Sequence, residues 1–151
     1  MERSQRINEV LLHLFNDALH LEEDSLRAAG ITELTMREVH TIAAVCSAGE
    51  NNTMSELAAS LGVTVGSLTV AMNTLERKGY VTRLRSSSDK RRVHIHPTEK
   101  ALVAEEKHRA YHLQMTHAML AAVPPEQLDS VLAGLEATWQ YFQKAIKEEQ
   151  A

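Results

Sequence analysis

A chain of 151 residues has the length of one ordinary domain and can bury a core of its own. It contains one cysteine, which excludes an internal disulfide, and no apolar run of about 18 residues, which excludes a transmembrane helix and a membrane partner. The net charge of −4 argues against a polyanion binder until the charges are placed along the chain. The opening MERSQRINEV lacks the apolar core of a signal peptide, so a cytoplasmic protein is expected.

Residues 5–29 read as a long helix. Ile7, Val10, Leu11, Leu14, Phe15 and Ala18 recur at helical spacing, and Leu12, Leu19 and Leu21 widen the stripe beyond what one core contact needs. That excess points to a subunit interface. Gly30 ends the helix. Thr35 and Glu38 then form a capping box, and Val39, Ile42, Ala43 and Val45 carry the next helix to about Ser47. Cys46 closes that stripe and reads as a buried small hydrophobe; no basic neighbour in sequence would lower its pKa for redox work.

After the polar AGENN loop, Thr53 and Glu56 make a second capping box. Leu57, Ala58 and Leu61 follow, and Gly62 ends the helix where a left-handed residue is favoured. Thr64 caps another helix with Leu68, Ala71, Met72 and Leu75 inside, and Gly79 closes it. A short helix, a glycine corner and a longer helix make a helix-turn-helix. The runs Tyr80–Arg85 and Arg91–His96 add a two-stranded wing with a serine-rich basic tip. Thr98 caps a helix over 98–121, Pro124-Pro125 breaks it, and Leu128, Val131, Leu132, Leu135, Trp139, Phe142 and Ile146 stripe a last helix.

The charge is not spread evenly. Residues 1–50 hold four basic side chains against nine acidic, whereas residues 77–92 hold seven basic against Asp89 alone. A block at +6 on the end of a helix-turn-helix and its wing is a local footprint for a polyanion, and that position weighs against a merely solvated face.

On the second helix of the motif the outward positions are Thr64, Val65, Gly66, Ser67, Thr69, Val70 and Asn73. Hydroxyls can donate or accept, valine methyls can meet a thymine methyl, and Asn can read adenine. None is arginine, so strong guanine reading is not expected and an A·T-leaning site is. Gly66 is open to two readings: close approach to a duplex, or tight packing on the preceding helix. On the wing, Ser88, Asp89, Lys90, Arg91 and Arg92 complete the candidate DNA-binding set. Arginine suits a narrow minor groove, and Asp89 among three cations suits an orienter of an arginine fork.

The Leu75-Glu76-Arg77-Lys78-Gly79-Tyr80 turn, Asp89-x-Arg91 and Thr98-Glu99-Lys100 resemble the reader of the MarR family of bacterial transcriptional regulators. The resemblance implies a mainly α fold with a small β-wing, in one domain over 1–151. Residues 35–97 would be the winged helix-turn-helix, and 1–34 and 98–151 the long dimerisation helices. It further implies a homodimeric repressor on double-stranded DNA at a pseudo-palindrome, with Arg91 entering the minor groove and Asp89 supporting it. Two departures, Pro97 and Ala101 in place of the usual leucine-like residue and glycine, bear on how the chain leaves the wing. The segments SQRINEVLLHLFNDALHLEEDSLR, MREVHTI and His108-x-x-x-His112 are similar, more narrowly, to the branch of the family that represses fatty-acid synthesis genes. That branch implies long-chain acyl-acyl carrier protein as corepressor, no bound cofactor, and an apolar space lined by Leu11, Phe15, Leu19 and Met36 with His40 nearby. Ordinary core packing is the competing reading for those five.

Eight histidines suggest one more possibility. His108 and His112 lie one turn apart on a helix, a metal-binding spacing, and zinc-sensing members of the family exist. Only Glu105 stands near enough in sequence to join them. His94 and His96 share a strand face and would touch phosphate or cover the sheet. No nucleophile elbow, phosphate loop, H-E-x-x-H or dinucleotide fingerprint is present, so no enzyme is expected. A winged helix used purely for protein docking is the remaining alternative, against which the basic wing stands.

Overall fold

Two helices of this protein begin on the same device. Thr35 Oγ1 accepts from the Glu38 amide while the Glu38 carboxylate accepts from the Thr35 amide at 2.8 Å. Thr53 and Glu56 repeat the arrangement eighteen residues later. Each box satisfies orphan amide donors reciprocally, which is why the sequence marks these starts so clearly. The computed structural model describes residues 2–50, 52–85 and 92–149. In chain order the elements are α1 (Arg3–Ala28), α2 (Met36–Ser47), α3 (Met54–Leu61), α4 (Val65–Arg77), β1 (Val81–Arg85), β2 (Val93–Pro97), α5 (Glu99–Ala122), a 3-10 turn (Pro125–Gln127) and α6 (Leu128–Glu149). They divide into two compact units, Met1–Tyr111 and His112–Ala151.

In the first unit, Gly62 takes φ +65° after α3 and lets the Val63 amide bond back to the Ala58 carbonyl. The chain bends by 105° there and enters α4, the corner of a helix-turn-helix. Leu68, Met72 and Leu75 of α4 are buried against Ile42 and Val45 of α2, Leu57 and Ala58 of α3, and Tyr80, Val81 and Ile95 of the wing base. Ala71 is only half-buried. β1 and β2 pair antiparallel from Val81↔Pro97 to Arg85↔Val93. Pro97 thus stands at the ladder's end, where a missing amide costs least. A single bridge from Thr53 to His94, with the Ile95 amide bonded to the Asn52 carbonyl, adds a third short edge that the sequence did not announce.

The wing's exit is well defined. Thr98 Oγ1 donates to the Gly79 carbonyl at 2.7 Å, and its oxygen accepts from the Ala101 amide to cap α5. Ala101 is fully buried in the core cluster, so its methyl is accommodated where the family commonly has glycine. Cys46 is half-buried beside the same core, and burial, then the Glu105 charge, pushes its thiol up to about 11. Such a thiol is inert at neutral pH.

Charged side chains fasten the loop between α1 and α2 to the end of α4 and the start of α5. Lys78 Nζ donates to both Glu38 carboxylate oxygens at 2.7 and 2.9 Å and to the Glu33 carbonyl at 2.6 Å. Burial raises the Glu38 pKa, but bonds from Lys78 and Thr35 outweigh it and leave the group more acidic than usual. The Glu33 carboxylate accepts from Tyr80 Oη at 2.7 Å and pairs with Lys100 at 2.9 Å, and Lys100 also lies over the Tyr80 ring. The Tyr80 bond first, then Lys100, draws the Glu33 pKa down to about 2.

The second unit holds the end of α5, the 3-10 turn and α6. Pro124-Pro125 breaks the helix as expected, and the Gln127 amide closes the turn on the Pro124 carbonyl. Leu132, Leu135, Trp139, Phe142 and Ile146 are all more than two-fifths exposed, Trp139 at 61 %. On α1, Ile7, Leu12, Leu14, Phe15, Leu19 and Leu21 are exposed as well, while only Glu22 and Leu26 are buried.

Because the Glu33 carboxyl is more acidic folded than unfolded, its contribution is complete above about 4.5 and fades as pH falls toward 2. Tyr80→Phe removes the largest cause of that shift. At neutral pH the variant is expected to unfold in urea with a loss of about 1 kcal/mol, reduced by the partial exposure of Glu33. The gap to the parent protein should close as the pH is lowered through that window; a gap independent of pH would contradict the role given to this bond.

Candidate nucleic-acid interface

With Leu68, Met72 and Leu75 inward, the helical period fixes what α4 shows to solvent. Thr64, Val65, Gly66, Ser67, Thr69, Val70 and Asn73 are all exposed, as their spacing required. Val70 stands out at 67 %. This face is polar and lightly apolar, and carries no formal charge.

Several of its polar groups are already engaged. Thr64 Oγ1 accepts from the Ser67 amide at 3.1 Å and donates to Ser67 Oγ at 2.9 Å, so the cap and the first hydroxyl of the face form one unit. Thr69 Oγ1 donates back to the Val65 carbonyl at 2.7 Å, leaving its lone pairs outward as acceptors. Asn73 Oδ1 accepts from Arg83 Nη2 at 2.8 Å, and Arg83 Nη1 also meets Glu76 at 3.4 Å. A β1 side chain thereby fixes the orientation of an outward-facing α4 amide. A Cβ built on Gly66 would meet only Thr64 Oγ1, at 3.8 Å. That is ordinary contact, so packing on α3 does not demand glycine there.

The basic block resolves into two groups. Lys78 and Arg83 are spent on internal pairs with Glu38, Glu33, Asn73 and Glu76. Arg77, Arg85 and Arg92 are exposed. Arg92 lies near enough to Glu56 to contribute to lowering that carboxyl's pKa, after its bonds with Thr53. Ser88, Asp89, Lys90 and Arg91 lie outside the described residues. Among the histidines of the wing, His94 Nδ1 lies 2.6 Å from Asn52 Oδ1 and braces the third edge, and His96 sits beside it half-buried.

Of the five residues assigned to an acyl-chain space, Leu11, Phe15 and Leu19 share one face of α1. Met36 lines a shallow cavity of about 220 Å³ with Leu26, Ile31, Leu34 and Thr35, and none of Leu11, Phe15, Leu19 or His40 borders it. Leu11, Phe15 and Leu19 span eight positions of α1, about 12 Å along its axis. Leu11 is half-buried, and Phe15 and Leu19 are exposed.

His40 instead meets His108, a residue the sequence assigned to a different site. Both approach the carboxylate of Glu22, His108 Nε2 at 2.8 Å and His40 Nε2 at 3.4 Å. Sequence spacing offered Glu105 as a neighbour and could not place distant ones; Glu22 and His40 are distant in sequence and near in space. One signal could have found Glu22: it occupies a stripe position, four after Ala18 and four before Leu26, where an apolar residue belongs. His112 follows one turn after His108 on α5.

The MarR family profile matches residues 34–93, the stretch from the approach to α2 through the start of β2. No curated protein matches the chain. Among solved structures it is similar to Streptococcus pneumoniae FabT in complex with DNA, with 34 % identity and a TM-score of 0.83 over 94 % of this chain and 99 % of that one. The S. aureus MepR–DNA complex shares the fold at 17 % identity and a TM-score of 0.71, covering 90 % of this chain and 97 % of the other. AbsC, a MarR family transcriptional regulator from Streptomyces coelicolor, shares it at 20 % identity and a TM-score of 0.71, covering 95 % and 97 %. A third of the residues identical over nearly the whole length, on one shared winged-helix fold, places this chain in the MarR family: it is a transcriptional regulator and not an enzyme.

Proposed function

We propose that this MarR-family regulator is a homodimeric, DNA-binding repressor of fatty-acid synthesis genes that binds an A·T-rich pseudo-palindrome with long-chain acyl-acyl carrier protein as corepressor. The observation that carries the DNA reading is the exposed, uncharged face of α4 beside a basic wing, in a chain 34 % identical to a FabT solved with DNA bound. The N-terminal half of such a helix faces base edges in the major groove. Val65 and Val70 offer methyl contact to thymine, Ser67 and Thr69 offer acceptors, and Asn73 offers a donor whose partner oxygen is held by Arg83. Gly66 lets the backbone of the first turn approach the duplex closely. With only Arg77, Arg85 and Arg92 exposed among the described cations of the block, Lys90 and Arg91 at the wing tip would supply much of the remaining charge.

Dimerisation is supported by the faces that a lone chain leaves open. Burying a Leu, Ile or Phe side chain is worth about 1.5–3 kcal/mol, and α1 and α6 together present thirteen large apolar side chains to solvent. A second copy covers such faces with twofold symmetry and sets the spacing of two readers, one per half-site. The fatty-acid role rests on the α1, α2 and α5 segments that resemble that branch of the family, and on the same 34 % identity. For a corepressor to act, acyl-acyl carrier protein must bind the DNA-competent spacing more tightly than the incompetent one.

Three outcomes check this reading. Arg91→Ala is expected to weaken operator binding about tenfold and to lower the salt slope by about 1, with helix content unchanged; unchanged affinity at fixed salt removes the wing tip from the mechanism. Trp139→Glu should convert the dimer to monomer in light scattering at micromolar concentration. Long-chain acyl-acyl carrier protein should tighten binding to DNA upstream of fatty-acid synthesis genes in an electrophoretic shift. If the parent protein binds every duplex weakly and alike, the docking-module alternative replaces the repressor.

A further inference from the structure

We propose that Arg83 is a specificity-determining residue: by holding the Asn73 oxygen toward the wing, it presents Asn73 to DNA through its NH₂ and so sets which bases one position of the site accepts. That role rests on the DNA-binding reading above, yet Arg83 itself need touch no base. Arg83 occupies a position where an apolar side chain belongs. Val81, two residues before it on β1, is buried, and so is Ile95, its partner across the ladder. Alternation along a strand and pairing across it place all three on the inner face of the wing. A cation on that face is costly unless it is bonded.

Two contacts hold it. Arg83 Nη2 donates to Asn73 Oδ1 at 2.8 Å, and Nη1 lies 3.4 Å from Glu76 Oε2. Asn73 and Glu76 are three positions apart on α4, so the guanidinium fork spans one helical turn. A lysine has a single point of attachment and cannot span both. Arg83 Nε is buried and has no partner among the described residues. An orphaned donor costs free energy, so stability alone does not account for the placement. Orientation does. Arginine carries donors and no acceptor, so the Asn73 atom turned to it is the carbonyl oxygen, and the NH₂ is left for another partner.

Asn73 is exposed, and Gly66, Thr69, Val70 and Asn73 recur at helical spacing on the outward face of α4. That stripe is about 10 Å long, the length of about three base steps. In the major groove adenine offers N7, guanine N7 and O6, and thymine O4 as acceptors. Cytosine offers only its N4 amine, which is a donor. An NH₂ held in place is therefore matched by three bases and opposed by cytosine. An asparagine free to turn would show cytosine its oxygen instead, and the discrimination would vanish. Arg83 thus makes a side chain that can read either way read in one.

The experiment is a selection from a randomised duplex library by the full-length protein, with the bound fraction sequenced, for the parent and for Arg83→Met, Arg83→Lys and Asn73→Ala. Methionine keeps an apolar stem at the wing base, and lysine keeps the charge without the fork. The parent is expected to disfavour cytosine about tenfold at one position of each half-site. Arg83→Met and Arg83→Lys should both lose that bias and keep the preferences elsewhere. Asn73→Ala should lose it at the same position, and Arg83→Met added to it should remove nothing further. A base profile unchanged in Arg83→Met overturns the proposal. So does an even loss of affinity across all sequences with the salt slope lowered by about 1, the mark of a phosphate contact. The bond itself is read without DNA, from the Asn73 side-chain NH₂ signals in ¹⁵N NMR, assigned through Asn73→Ala. Arg83→Met should shift those signals, and unmoved signals overturn the tie. Signals that shift in a protein that selects no sequence overturn the specificity role through failure of the DNA-binding reading, with the Arg83–Asn73 bond left standing.

Discussion

Helix α4 is fixed from behind. Leu68, Met72 and Leu75 of α4 are at most 2 % exposed and lie in one cluster with α2, α3 and the wing base. A close-packed interior tolerates little rotation of a helix so held, because turning it would expose three large side chains and open voids in their place. The identity of the outward face is therefore a consequence of the inward one. Thr64, Val65, Gly66, Ser67, Thr69, Val70 and Asn73 face solvent because the other side of the cylinder has no freedom to do otherwise.

Polar bonds then settle the details that apolar burial leaves loose. The end of α4 is tied to the start of α2 through Lys78 and Glu38, and the α1–α2 loop is tied to Tyr80 and Lys100 through Glu33. These pairs lie near the surface, where an isolated ion pair contributes little. Here they share atoms: Lys78 meets both Glu38 and the Glu33 carbonyl, while Lys100 meets both Glu33 and the Lys78 carbonyl. A shared network resists displacement of any one member more than separate pairs would. Arg83 does the same between β1 and α4, and in doing so decides which end of the Asn73 amide faces outward.

What could be read from the sequence was whatever is local. Both capping boxes, the Gly62 corner, the exposed face of α4 and the Thr98 start of α5 depend on residues within a turn or two of each other, and all stand where their spacing put them. Roles that depend on distant partners were not legible. Lys78 and Arg83 counted as free cations in the charge block, because their partners lie 40 and ten positions away or on another element. Of the acyl-space candidates, Met36 borders a small cavity with residues of the α1–α2 loop, a neighbourhood its spacing alone did not show. His108 was singled out for a partner one turn along its own helix, whereas its near neighbours came from α1 and α2.

The placement of Glu22 also bears on how a signal could reach the reader. α2 carries His40 on one side and, on another, the buried Val39, Ile42 and Val45; Ile42 and Val45 belong to the core cluster that holds α4. Its first turn carries Glu38, which holds the far end of α4 through Lys78. A change in the charge or bonding at Glu22, His40 and His108 thus acts on a helix that is already in contact with the recognition helix at two places. Coupling of this kind would require two arrangements of α2 that differ in how well they suit a bound signal and the proposed DNA. The outward face of α4 need not change for that, since the helix is packed in one core cluster with α2, α3 and the wing base; what such a signal can alter is where that cluster is held.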